Sequence, residues 1–196
     1  MKAKIFLDMD GLLANLFDTL SHRFYNKEYK FVTPSEKKKI KAIWIDEKKF
    51  KQYFSSVKDL FVNLEPFGKN GEKTQAIIDS VIEVFGEYNI ITHPASINKK
   101  ECIEGKKEWI LKHLYPLPKK VYFPQNKAEF AIQKGKPNIP NILIDDFLPY
   151  IVSWKNKGGY TIQMRTDMFK TKKEIKSFLL SELKLVKNLI YKNVDF

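Results

Sequence analysis

Ile5, Phe6 and Leu7 form an unbroken apolar run that ends in Asp8, Asp10 and Gly11. A buried parallel strand has this pattern, with polar groups appearing where it leaves the sheet. Residues 12–25 then follow a helical period. Pro34 and Ser35 open a second helical stretch, with Ile40, Ile43, Trp44, Phe50 and Tyr53 on one face and Lys37, Lys38, Lys39 and Lys41 on a solvated one. Pro66, Gly68 and Gly71 punctuate the chain before a helix built on Ile77, Ile78, Val81, Ile82 and Phe85, which Gly86 ends. A strand at 88–92 breaks at His93-Pro94. A helix through Trp109, Ile110 and Leu114 stops at Pro116 and Pro118. Strands at 120–123 and 141–144 follow, the second running into Asp145-Asp146. A helix at 150–156, a Gly158-Gly159 turn, a strand at 160–164 and an amphipathic helix at about 172–190 complete the pattern.

Strands alternating with helices imply a parallel sheet with crossover connections. The expected fold is therefore α/β, a Rossmann-like parallel sheet flanked by helices. Between the first strand and Pro66 the pattern is helical only, so a small helical cap is expected there, inserted after the first strand. On this reading residues 1–16 and 74–196 form the core and residues 17–73 the cap.

A chain of 196 residues with 43% hydrophobic and 14% aromatic residues can bury one core. Cys102 is the lone cysteine, which rules out an internal disulfide and a cysteine-built metal site and reads as a partly buried structural thiol. The N-terminal segment is too short for a signal peptide, and no apolar run of about 18 residues occurs, so the expectation is a soluble, cytoplasmic protein without membrane contact. Lys plus Arg number 35 against 23 acids, a net charge of +12. That field attracts anionic ligands. Only Arg23 and Arg165 are arginines, however, and arginine forks dominate base readout in DNA. Nucleic acid is thus admitted as a partner but not favoured over a small nucleotide. The oligomeric state is not specified by these residues, a dimer being possible.

Ligands of open parallel sheets bind beyond the carboxyl ends of the strands. Three expected strands end in Asp8 and Asp10, in Thr92, and in Asp145 and Asp146, and Lys127 follows a fourth. Two unit charges about 4 Å apart repel by about 4 kcal/mol at an effective dielectric near 20, so either some of these acids protonate or a cation sits among them. Magnesium suits an all-oxygen donor set and leaves positions for water and phosphate, whereas His22, His93 and His113 lie too far apart in sequence to offer zinc a site. A carboxylate can attack phosphorus and form an acyl phosphate. Asp8 is the natural nucleophile and Asp10 the acid–base, with Thr92 and Lys127 holding phosphate oxygens. Lys134 is a neighbouring rival to Lys127. His93 and Ser96 are further phosphate-binding candidates, although a strand-end histidine and a helix N-cap serine explain them equally well.

The string FLDMDGLLANL resembles the first motif of the haloacid dehalogenase superfamily, and within it the 5'(3')-deoxyribonucleotidases, whose opening typically reads DMDGVLAD. FVNLEPFGKNGEKTQAIIDSVIEVFGEYNIITHPAS, Lys127 in QNKAEFA, and ILIDDFLPYIVSWKNKGGYTI are similar to the later blocks of that family, in order. The resemblance implies a magnesium-dependent phosphatase of the 5'-nucleotidase type. Asp8 would be phosphorylated, Asp10 would serve as acid–base and give the metal its backbone carbonyl, and Thr92 and Lys127 would bind phosphate. Asp145 and Asp146 would complete the metal site, with the direct ligand of the two undecided. Asn15 replaces the family's usual acid, and Leu16 stands where an aromatic often lines the base pocket. Both put base and sugar preference in doubt.

Trp44, Tyr53, Phe54 and Phe67 are candidates for stacking on a nucleobase, against the simpler reading that they pack the cap. A phosphatase acting on nucleic-acid ends or another small phosphate ester is the alternative function, and a non-enzymatic nucleic-acid binder the third.

Overall fold

The structure, a computed structural model, describes residues 3–44, 47–133 and 139–192; the side chains of residues 41–44, 47 and 49, Trp44 among them, and all of Lys134 lie outside that description. Its elements, in chain order, are β1 (Ile5–Leu7), α1 (Leu16–Tyr25), α2 (Pro34–Trp44), α3 (Glu47–Lys51), α4 (Val57–Val62), α5 (Glu72–Phe85), β2 (Asn89–Ile91), α6 (Lys99–His113), β3 (Val121–Tyr122), β4 (Ile142–Asp145), α7 (Leu148–Asn156), β5 (Tyr160–Gln163) and α8 (Lys172–Lys192). Four short 3-10 turns join them, one of which, Lys127–Phe130, lies between β3 and β4.

The five strands form one all-parallel sheet in the order β3-β2-β1-β4-β5. The central strands β1, β2 and β4 are buried throughout and the edge strands β3 and β5 only in part, with alternate residues facing opposite layers. Ile5 and Leu7, Ile90, and Ile142 and Ile144 join the larger core with Ile77 and Val81 of α5, Trp109 of α6 and Leu179 of α8. Phe6, Ile91 and Leu143 point the other way, onto Trp154 of α7 and Ala131. This two-sided packing is the α/β arrangement expected from the pattern.

Only helices and turns lie between β1 and α5 among the described residues. Ala14, before α1, and Pro66, before α5, pair as an isolated antiparallel bridge, with the Asn15 amide donating to the Glu65 carbonyl at 2.9 Å. The long helical stretch read from Pro34 onward resolves into α2 and α3. A further helix, α4, follows; it is too short to show a period and begins at Ser56, whose side chain accepts from the Asp59 amide. The helix expected from residue 12 starts instead at Leu16, because residues 9–14 form a tight turn with the Leu13 and Ala14 amides bonded to the Met9 carbonyl. Two buried threonines pin that turn: Thr166 donates to the Leu12 carbonyl at 2.6 Å and Thr74 to the Leu13 carbonyl at 2.7 Å.

Close contact between α4 and α6 depends on Gly105. A Cβ there would lie 2.6 Å from the Lys58 carbonyl oxygen and 3.0 Å from the Phe61 Cβ. Gly105→Ala gains about 1 kcal/mol of helix propensity but must push two backbones apart, a strain of about 1–3 kcal/mol. Urea denaturation of Gly105→Ala is expected to show a net loss of stability, and Gly105→Val a larger one.

Candidate active site

The register of β1 and β4 pairs Leu7 with Ile144, and continuing it by one residue sets Asp8 beside Asp145. By the alternation of the strands both carboxylates lie on the layer of Phe6 and Leu143, which is the side of the 3-10 turn Lys127–Phe130. Asn126 caps that turn, accepting from the Ala128 amide at 3.0 Å, and so aims Lys127 inward. Lys127 Nζ donates to Asp8 Oδ1 at 2.6 Å and to Asp145 Oδ2 at 2.8 Å. It lies 4.3 Å from the centroid of the Tyr150 ring. All three charged groups are buried.

Ligand oxygens of Asp8, Asp145 and Asp146 lie within 4.8 Å of one another, a cluster that could hold a metal ion. Asp145 Oδ1 also accepts from the Phe147 amide at 2.9 Å, so both its oxygens have protein donors. Asp146 lines the adjoining cavity of about 250 Å³ together with Asp8, Asp10, Phe17, Phe61, His93 and Lys127. Gly11 makes room for it. The residue has φ +84°, and a Cβ there would lie 2.5 Å from Asp146 Oδ2 and 2.8 Å from the Phe17 ring. Only glycine satisfies both the backbone angle and the approach.

The electrostatics of the cluster favour a cation. Burial, then the charge of Asp8, pushes the Asp145 carboxyl up to about 7 even though Lys127 opposes the shift. Burial, Asp8 and Asp145 push Asp146 up to about 8. Burial works against the charge of Lys127, but Asp8 and Asp145 outweigh it and hold the ammonium above its usual range. The donors are hard oxygens, the set that a magnesium-like ion takes.

A second buried lysine stands on the other side of the rim. Lys106 of α6 donates to Asp10 Oδ2 at 2.5 Å, to Thr92 Oγ1 at 2.6 Å and to the His93 carbonyl at 3.0 Å. Burial raises the Asp10 carboxyl above its ordinary value although Lys106 opposes it. Asp10 Oδ1 and His93 Nδ1 are buried without a hydrogen-bond partner.

Asp8, Asp10, His93, Ser96, Lys127 and Asp146 all line the one cavity; Asp145 lies behind it against Lys127, and Thr92 is buried beneath Lys106. The aromatic candidates divide differently. Tyr53 and Phe54 line a separate groove with Asn15, Asp18 and Arg23, where each packs edge-on against Phe24. Phe67 is buried in the fold. The rings on the cavity wall are Phe17 and Phe61, beside Leu16, and Phe147 and Tyr150. Lys106 was not legible as a site residue from strand ends. Its signal is its position one turn after Cys102 and three and four residues before Trp109 and Ile110, a lysine on an otherwise apolar, buried helix face.

No family model matches the chain, and no curated protein matches it. Among solved structures it is similar to the HAD family enzyme BT-2542 from Bacteroides thetaiotaomicron. The magnesium complex of that enzyme has 15% identity and a TM-score of 0.42, covering 86% of this chain and 98% of the other. The wild-type complex with magnesium and inorganic phosphate gives 14%, 0.43, 87% and 98%. A mutant with the same ligands gives 13%, 0.43, 87% and 98%. So distant a likeness transfers no chemistry, and the site stands on its own residues.

Asp145 and Asp146 titrate higher in the folded chain than unfolded, so their protonated forms favour folding. That contribution is complete below about pH 4 and is lost as the pH rises through about 7 to 8. The metal-free protein, scanned by thermal denaturation with a chelator present, is expected to lose stability between pH 6 and 9. Millimolar magnesium should restore more of it at pH 8.5 than at pH 6, since binding competes with protons. In Gly11→Ala, where Asp146 must move, the magnesium-induced rise in Tm is expected to shrink or vanish.

Proposed function

We propose that the chain is a magnesium-dependent phosphohydrolase that forms an aspartyl phosphate on Asp8, with a nucleoside monophosphate as substrate. The observation that carries this reading is the buried Asp8–Lys127–Asp145 contact at a parallel strand end, beside Asp146 and a small cavity. A carboxylate and an ammonium held this close, with two more acids nearby, have little use as packing. They suit a site that takes a phosphoryl group and a cation together.

In this reading Asp8 attacks phosphorus while the ester oxygen departs, and Asp10 supplies that oxygen with a proton. Asp10 then takes a proton from the water that attacks the acyl phosphate, which returns the Asp8 carboxylate and inorganic phosphate. Lys127 offsets charge on the phosphoryl oxygens as it builds. His93 and Ser96 line the phosphate pocket, and the Thr92 hydroxyl, buried beneath Lys106, backs it. Asp8 and Asp146 would hold magnesium directly, because the two oxygens of Asp145 are already bonded to Lys127 and the Phe147 amide. Held by these acids, magnesium would neutralise their charge and draw charge from the phosphate.

The inserted helices, assigned as a cap over residues 17–73, would close over the rim through Phe17 and Phe61 and exclude water. A cavity of about 250 Å³ suits a small ester better than a polymer end, while the +12 charge favours the polymer. The two differ in one assay. Magnesium-containing reactions should release more phosphate from mononucleotides than from an end-phosphorylated oligonucleotide, and preference for the oligonucleotide would move the substrate to nucleic-acid ends.

Asp8→Asn keeps the shape but removes the nucleophile. It should lower phosphate release by about 10³-fold or more, with circular dichroism unchanged. Near-normal turnover in that variant would rule out the covalent route.

A further inference from the structure

We propose that Lys106 is a positioning residue for proton transfer, selecting Oδ1 of Asp10 as the oxygen that trades the proton. The inference rests on the phosphohydrolase reading above and extends it to a side chain outside the strand-end set.

An ammonium has three donors and no acceptor. Those of Lys106 go to Thr92 Oγ1, the His93 carbonyl and Asp10 Oδ2, so every one is used. Two of the three partners belong to the end of β2 and the residues just after it, a rigid part of the sheet. The third is the carboxylate on the turn after β1. Lys106, 96 residues from Asp10 in sequence, therefore ties the Asp10 side chain to the neighbouring strand. The ammonium is itself fixed. It has no exposed surface, lies 4.8 Å from the centroid of Phe61, and is carried on a helix whose approach to α4 depends on Gly105.

The consequence for Asp10 is asymmetric. Oδ2 is engaged in a charge-assisted bond. Oδ1 is buried and has no partner, while the residue lines the cavity. A buried polar atom left without a partner is costly and points to a role. Here Oδ1 faces no competing donor, so it is the oxygen that can carry a proton to the leaving group and recover one from water. In the first step the Asp8 oxygen–phosphorus bond forms, the phosphorus–ester oxygen bond breaks, and the proton on Oδ1 passes to the departing oxygen. Lys106 touches no reacting atom. Its effect is to fix which oxygen is presented and where.

A role in proton delivery is separable from a role in folding by the leaving group. An alkyl ester such as a mononucleotide expels a basic alkoxide that needs the proton, whereas 2,4-dinitrophenyl phosphate expels a weak base that does not. Lys106→Met is read by kcat/KM, which reports the steps up to leaving-group departure, in magnesium with both esters. The expected loss is on the order of 100-fold for the mononucleotide and less than about 5-fold for the aryl ester. Equal losses on the two esters would overturn the inference while leaving the phosphohydrolase reading intact. A wild-type protein inactive on both would sink the reading and the inference together. Removing one partner of a buried pair can unfold a chain. The second comparison is therefore Lys106→Met/Asp10→Asn against Asp10→Asn alone, in which no carboxylate is left facing a missing ammonium. With Lys106 acting through Asp10, the double variant is expected to be no slower than the single one on the mononucleotide. A further tenfold loss would show an independent role and overturn the proposal.

Discussion

Three carboxylates share a few ångströms at the end of a parallel sheet, and an ammonium buried between two of them makes that crowding tolerable. Lys127 meets Asp8 and Asp145 at once, with no solvent to screen either contact. Such a cluster costs desolvation on every member, and its mutual attraction only offsets that cost when the geometry is tight and the remaining oxygens are bonded. The surrounding structure supplies both. The β1–β4 register sets the two acids side by side, Asn126 turns Lys127 toward them, and the Phe147 amide takes the last oxygen of Asp145. Asp146 is the acid left over, which is why the cluster has an open side.

The opposite flank repeats the principle with different parts. Lys106 satisfies Asp10, Thr92 and a backbone carbonyl, leaving one oxygen unpartnered. The two lysines come from unlike elements, one from a capped turn and one from the middle of a helix, and they bracket the first strand. The carboxylates of that strand and its following turn are thus each held by a different cation, Asp8 by Lys127 and Asp10 by Lys106.

Much of this was legible in the residues. Strand ends carry polar groups only where the chain leaves a buried sheet, so Asp8, Thr92 and Asp145 could be placed on one rim from period and polarity alone. The five-stranded parallel sheet followed from the same alternation. Three things were not. Lys106 sits in mid-helix, where one lysine among many in a chain with 35 basic residues shows only as a break in an apolar stripe. The short helix α4 is set by the Ser56 cap rather than by a period. The rings at the cavity are Phe17, Phe61, Phe147 and Tyr150, while Tyr53 and Phe54 line another groove. Which side of a short inserted helix faces a site depends on tertiary packing, and apolar spacing alone does not specify it.

The Ala14–Pro66 bridge brings the two feet of the inserted segment together as neighbours. Everything between them begins and ends at one place, yet it is held a second time where α4 meets α6 at Gly105 and where Trp109 donates to the Leu64 carbonyl. A change in that stretch which spares the Ala14–Pro66 pairing is therefore still felt at the α4–α6 contact and, through Phe61, at Lys106.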